Sequence, residues 1–178
     1  MNKLEKFSLN SSLKAGDIFI NECFYPIVQE KYITFDCTSN IQSISYDHWQ
    51  EVIDFIKPHL DKKNIDIIRV GNESGNPIDG VIDHRNKTFN QESYIISKSS
   101  LHFGTSELHS LVAGKYGTPQ VRLFSPFKPS TYPLKNSEKN LFIDSDRQGT
   151  IPISSPQDPR KLINNISPAE VAVPIVIV

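Results

Sequence analysis

Residues 94–124 read YIISKSSLHFGTSELHSLVAGKYGTPQVRLF, and the order of apolar runs and turn residues within them decides the fold. The stretch reads as a helix, a strand, a Gly-Thr-Ser turn, a second helix, a Gly-Thr-Pro turn and a strand. Residues 101–103 form a short apolar strand that runs into Gly104, where the backbone is free to turn tightly. Thr105 or Ser106 then caps a helix carrying Leu108, Leu111 and Val112. The N–H groups at that helix start, helped by the dipole and two hydroxyls, suit a phosphate or diphosphate. Hydroxyl-capped helices also follow strands in α/β proteins that bind nothing, so spacing alone leaves a purely structural turn open.

On the amino-terminal side, residues 32–35 are β-branched and aromatic, a strand signal, and the polar run 37–43 reads as a loop. Trp49, Val52, Ile53, Ile56 and Leu60 recur at helical spacing, giving a helix from near Ser45 or Asp47 that Pro58 is expected to kink or shorten. Residues 65–70 form the next strand, ending at Gly71, and a polar loop leads to a brief strand at Val81 and Ile82. Thr88 with Gln91 makes a capping box ahead of Tyr94, Ile95 and Ile96.

On the carboxyl side a Pro- and Ser-rich stretch, 125–159, contains a strand at 141–143. Asp158-Pro159 and Ser167-Pro168-Ala169-Glu170 are helix starts, the second a capping box with Pro at the first helical position. That last helix is expected to be interrupted by Pro174 after about two turns. Alternating strands and helices predict an α/β fold, a Rossmann-like parallel sheet flanked by helices, with ligands at the carboxyl ends of the strands. The loops after Phe35, Val70, Phe103 and Phe124 then share one rim. The organisation read from the chain is a linker over 1–30, one domain over 31–172 and an apolar, β-prone tail over 173–178.

The 178 residues suffice for one domain with a real core. With 19 Lys plus Arg against 20 Asp plus Glu, the formal charge of -1 gives no field for nucleic acid or an anionic membrane. The start MNKLEKFSLN lacks the apolar core of a signal peptide and no segment has the roughly 18 apolar residues that span a bilayer, so a cytoplasmic location is expected. Cys23 and Cys37 show no metal or C-x-x-C spacing and read as reduced thiols.

No Walker A, G-x-G-x-x-G or G-x-S-x-G pattern occurs, which argues against P-loop, dinucleotide-binding and α/β-hydrolase chemistry. His102 and His109 flank the Gly-Thr-Ser turn with Glu107 between them, without the spacing of a metal motif, and either is a cap or surface residue as readily as a catalytic one. Asp144-Ser145-Asp146 matches the D-x-D pattern of metal-dependent glycosyltransferases, although a solvated turn explains it as well.

Several segments together resemble the carboxyl-terminal, donor-binding half of GT-B glycosyltransferases, in particular the ADP-heptose:lipopolysaccharide heptosyltransferase-like family (glycosyltransferase family 9). KYITF with its Ser/Thr loop and the Trp49 helix is similar to that family's first strand, phosphate-side loop and first helix, and IDIIRVG to its second strand. DHRNKTFNQESYIISKSSLHFGTS resembles the family's stretch of loop, helix, strand and diphosphate turn; AGKYGTPQVRLFSP matches its Gly-x-Pro close, and NNISPAEVA its last helix start.

The resemblance implies a single half of a GT-B fold that binds a nucleotide-diphosphate sugar and transfers the sugar to a cell-surface glycan. It places the diphosphate over Gly104, Thr105, Ser106 and Glu107, with His109 nearby. Asp83, Lys87 and Thr88 would lie on the base or ribose side, and Thr38, Ser39 and Ser43 on the phosphate side of the first loop. No metal or other cofactor is implied, because helix dipoles and side-chain donors stabilise the leaving diphosphate. The catalytic base and acceptor contacts belong to an amino-terminal half, so a separately encoded acceptor-binding partner or a homo-oligomer is implied, with the protein cytoplasmic or peripheral to the inner membrane. The alternative is a degenerate, non-catalytic domain of the same fold that acts as a protein-interaction module. A third reading makes Asp144 and Asp146 the cation ligands of a metal-dependent enzyme.

Overall fold

Every residue of the YITFD strand is buried, so it packs on both faces, and its alternation divides the protein into two layers. The computed structural model describes residues 19–37, 45–72, 76–124, 139–145 and 162–177. In chain order these form β1 (Tyr32–Asp36), α1 (Trp49–Lys62), β2 (Asp66–Arg69), β3 (Ile82–Asp83), α2 (Phe89–Lys98), β4 (His102–Gly104), α3 (Glu107–Tyr116), β5 (Gln120–Phe124), β6 (Asn140–Asp144), a 3₁₀ turn (Leu162–Asn165) and α4 (Pro168–Val176). The six strands make one sheet in the order β3-β2-β1-β4-β5-β6, and all five pairings are parallel. The expected α/β sheet is present, and its strand order is that of a doubly wound fold whose direction of growth reverses between β1 and β4.

Ile33 and Phe35 face α1 and α4, where they join Trp49, Val52, Ile56, Phe103, Val171 and Ile175 in the larger core cluster. Phe35 stacks on Phe103 at 5.0 Å between ring centroids and meets Trp49 edge-on at 5.0 Å. Tyr32 faces the other layer, with Ile68, Val70, Ile95, Ile96, Val112 and Ala113 of the α2–α3 side. Thr34 and Asp36 share the parity of Tyr32 and so belong to that second face. The capping boxes at Thr88/Gln91 and Ser167/Glu170 both form, and Pro168 takes the first helical position. No helix among the described residues is long and apolar enough to cross a membrane.

Neither proline ends its helix. α1 runs on through Pro58 to Lys62, and α4 continues through Pro174 to Val176. Pro58 and Asp54, whose carbonyl loses its helical donor, both lie on the exposed side of the helix, where solvent is available to that carbonyl. Around Pro174, Val171, Ala172 and Ile175 are buried against the core, and their packing outweighs the local penalty. Pro58→Ala is therefore expected to stabilise the protein by about 1–2 kcal/mol, the helix-interior penalty less the unfolded-state entropy it restores. Urea denaturation checks this; a destabilised variant would mean that Pro58 is needed for packing.

Candidate functional site at the strand-order reversal

β1 ends at Asp36, β2 runs into Gly71 and β4 ends at Gly104, so three strand ends meet on one rim beside the reversal. Gly104 is paired with Asp36 in register and has φ of 155°. A Cβ on it would lie 2.3 Å from the Asp36 carbonyl oxygen and 2.8 Å from Asp36 Oδ2, so only glycine permits this approach. The Ser106 N–H donates to Asp36 Oδ2 at 3.0 Å, while the Ser106 hydroxyl caps α3 by accepting the His109 N–H at 3.3 Å.

His109 extends this contact sideways. Its Nδ1 lies 3.5 Å from Asp36 Oδ2, an ion-pair contact longer than a good hydrogen bond, and its Nε2 lies 3.0 Å from Glu92 Oε2 on α2. The other Glu92 oxygen accepts the Gly71 N–H at 3.0 Å. A buried row of carboxylate, imidazole and carboxylate thus ties β1, α3, α2 and the turn after β2 together. His102 of β4 completes the cluster, with Nε2 3.9 Å from Asp36 Oδ2 and Nδ1 3.1 Å from Thr34 Oγ1.

Burial works against charge on each of these groups, and the neighbours decide the outcome. For His109 burial pulls the pKa down, but the bonds and charges of Asp36 and Glu92 overcome it and raise it to about 10, so the ring is an imidazolium. For Asp36 burial pushes upward, yet His109, with smaller help from His102 and the Ser106 N–H, holds the carboxyl below its usual range. His102 is the converse case, since burial outweighs the attraction of Asp36 and brings it down to about 3, leaving the ring neutral.

A cleft of about 320 Å³ opens over the row, with Asp36, Glu92 and His109 in its lining. Lys87, Asn72 and Asn86 contribute polar groups, and Ser106 and Leu108 bring in the first turn of α3. Lys87 Nζ also sits 5.8 Å from the centre of the Tyr25 ring. Two carboxylates face one imidazolium and one ammonium here, so the formal charge of these four side chains balances. Directed donors and the α3 dipole, rather than a strong net field, are what this cleft offers a polar ligand.

Half-length coverage marks the structural comparisons. The dodecameric iron-containing heptosyltransferase TibC of enterotoxigenic E. coli, in complex with ADP-D-β-D-heptose, matches over 92% of this chain and 49% of its own, at 15% identity and a TM-score of 0.60. A family 9 glycosyltransferase from Veillonella parvula matches over 98% and 51%, at 13% identity and a TM-score of 0.62. E. coli ADP-heptose lipopolysaccharide heptosyltransferase II matches over 96% and 49%, at 14% identity and a TM-score of 0.59. This is the fold of one half of a heptosyltransferase. The chain spans about half the length of the solved structures it matches. No protein-family model matches it, and no curated protein does.

Within this fold, the residues singled out from sequence take different places. Ser106, His109 and Lys87 line the cleft together. Gly104 and Thr105 are buried beneath it, Glu107 opens α3, and the Thr88 hydroxyl is used in capping α2. Asp83 ends β3 in an ion pair with Arg85, Nη2 to Oδ2 2.6 Å, whose bonds bring its carboxyl down to about 2. Thr38, Ser39, Ser43, Asp146 and the Asp158-Pro159 helix start lie outside the described residues, while Asp144 ends β6, two strands from β4. Sequence reasoning did not single out Asp36, Glu92, Asn72 or Asn86. Asp36 had one available signal, its position directly after the β-branched and aromatic run 32–35, on the rim where ligands are expected.

Proposed function

We propose that this chain is the donor-binding half of a glycosyltransferase, holding a nucleotide-diphosphate sugar in the cleft for transfer to a hydroxyl of a cell-surface glycan, lipopolysaccharide being the acceptor class. One observation carries the reading: the cleft lies at the carboxyl edge of a parallel sheet at its strand-order reversal, where open α/β sheets take their ligands. It is supported by Lys87 and the start of α3 in the lining, and by the likeness to a protein solved with ADP-D-β-D-heptose.

The diphosphate lies over Ser106 at the amino end of α3, with Lys87 as its cation and Asn72 and Asn86 as donors. Gly104 and Thr105 support that corner from below, Glu107 and His109 border it, and Asp83 and Thr88 flank the base or ribose. Thr38, Ser39 and Ser43 belong to the first-loop side of the phosphates. Acceptor contacts and the catalytic base come from a second half, separately encoded or supplied by another copy, and the protein works in the cytoplasm at the inner membrane face. Calorimetric titration with ADP, UDP and GDP is expected to give saturable binding at micromolar level with one of them. Lys87→Ala is expected to weaken it about tenfold, the loss of one charge-assisted hydrogen bond of about 1.5 kcal/mol. An absence of heat with every nucleoside diphosphate removes the reading.

A second reading has its own observation. The Ser106 N–H, part of the expected anion cradle, is engaged by Asp36 from within the protein. That favours a non-catalytic domain that keeps the fold and binds another protein. A nucleotide-blind oligomer in light scattering would select it over the first.

A further inference from the structure

We propose that Asp36, His102 and His109 form a binding site for a divalent first-row transition cation, with the two imidazole nitrogens and one carboxylate oxygen as ligands. The three residues come from β1, β4 and α3, and one ligand atom from each lies within 4.8 Å of the others. Both rings turn a nitrogen toward the same oxygen, at 3.5 Å for His109 Nδ1 and 3.9 Å for His102 Nε2. His109 Nδ1 is fully buried with no hydrogen-bond partner. Tetrahedral ligands at zinc-like bond lengths stand about 3.3 Å apart, so closing on an ion needs side-chain movements of roughly 1.5 Å at most.

The groups around the ligands make this more than a chance cluster. A metal-bound histidine is held by a hydrogen bond at its other nitrogen, usually to a carboxylate, carbonyl or water, and that partner sets the ring's orientation and tautomer. Here Glu92 Oε2 lies 3.0 Å from His109 Nε2, and Thr34 Oγ1 lies 3.1 Å from His102 Nδ1. Glu92 is itself fixed by the Gly71 N–H, and Thr34 by Ser99 Oγ at 3.1 Å. Both histidines therefore offer the nitrogen that is not held elsewhere.

Charge points the same way. Two buried carboxylates, Asp36 and Glu92, flank the His109 ring. A divalent ion held at His109 Nδ1 leaves Nε2–H to donate to Glu92 and offsets the charge of the two buried carboxylates, which lowers their burial cost. Asp36 and His109 line the cleft, which gives the ion a way in and leaves a coordination position for water or an oxygen ligand. Two imidazoles and one carboxylate select zinc, cobalt, nickel or ferrous iron over magnesium and calcium. The site does not depend on the donor reading, and its test uses no nucleotide.

The untagged full chain, stripped with EDTA and desalted, is titrated at neutral pH with Zn²⁺ by calorimetry and with Co²⁺ by visible absorption. One equivalent should bind at micromolar level or tighter with cobalt ligand-field bands, and Mg²⁺ should not bind. His102→Gln and His109→Gln should each weaken binding by at least about 100-fold, while Thr34→Val, which removes the hydrogen bond to His102 Nδ1 but no ligand atom, should weaken it about tenfold and alter the cobalt spectrum. Should the histidine variants fail to fold, the Thr34→Val comparison decides alone. Absence of stoichiometric binding overturns the proposal. So does binding whose affinity and spectrum are unchanged in Thr34→Val, since that assigns the ion to exposed histidines such as His59.

Discussion

Gly104→Ala is expected to lower stability by roughly 3 kcal/mol or more, combining overpacking with backbone strain. At the 2–4 °C per kcal/mol usual for about 150–250 residues, the melting temperature should fall by about 10 °C. The added Cβ meets not a flexible side chain but the Asp36 carbonyl at 2.3 Å, in the neighbouring strand. Relief requires β1 and β4 to separate where their register pairs Asp36 with Gly104, and that also pulls the carboxylate from the Ser106 N–H. Gly117 is the internal control. It ends α3 with φ of 69° and open space around it, so Gly117→Ala should cost only about 1 kcal/mol. Equal losses for the two variants in thermal denaturation would mean that the close approach at Gly104 is not what demands glycine.

The second large effect is expected at Asp36. Asp36→Ala should destabilise the protein by about 3–5 kcal/mol, the usual result of removing one partner from a buried ion pair. It removes the acceptor of the Ser106 N–H and half of the charge that surrounds the His109 imidazolium. Alanine also opens a void beside His102. Urea denaturation in EDTA-containing buffer isolates this contribution from any bound ion. A loss below about 1 kcal/mol would show that the row of Asp36, His109 and Glu92 does little to hold the rim together.

The elements legible in the sequence were those with local signals. β1, the buried face of α1 and the capping boxes of α2 and α4 come from periodicity and from residues three positions apart. The turn at Gly104 was also local, and its glycine proved essential for a reason invisible in one dimension, the approach of a strand whose paired residue lies 68 positions earlier. Spacing rules reject His102 and His109 as a metal pair because their separation, with Glu107 between them, matches no metal motif. Folding brings Asp36 from β1 to both rings, and Glu92 to the far side of His109. The prolines show the reverse error: Pro58 and Pro174 carry strong local penalties that an exposed carbonyl in one case and buried neighbours in the other make tolerable.

The most direct test of the donor-site account is a nucleoside-diphosphate titration followed residue by residue in amide ¹H–¹⁵N NMR spectra. Saturable shifts are predicted for the amides of Gly71, Asn86, Lys87, Ser106 and Leu108, around one rim of the sheet. No shifts at saturating nucleotide, or shifts confined to residues away from the ends of β1, β2 and β4, would contradict it.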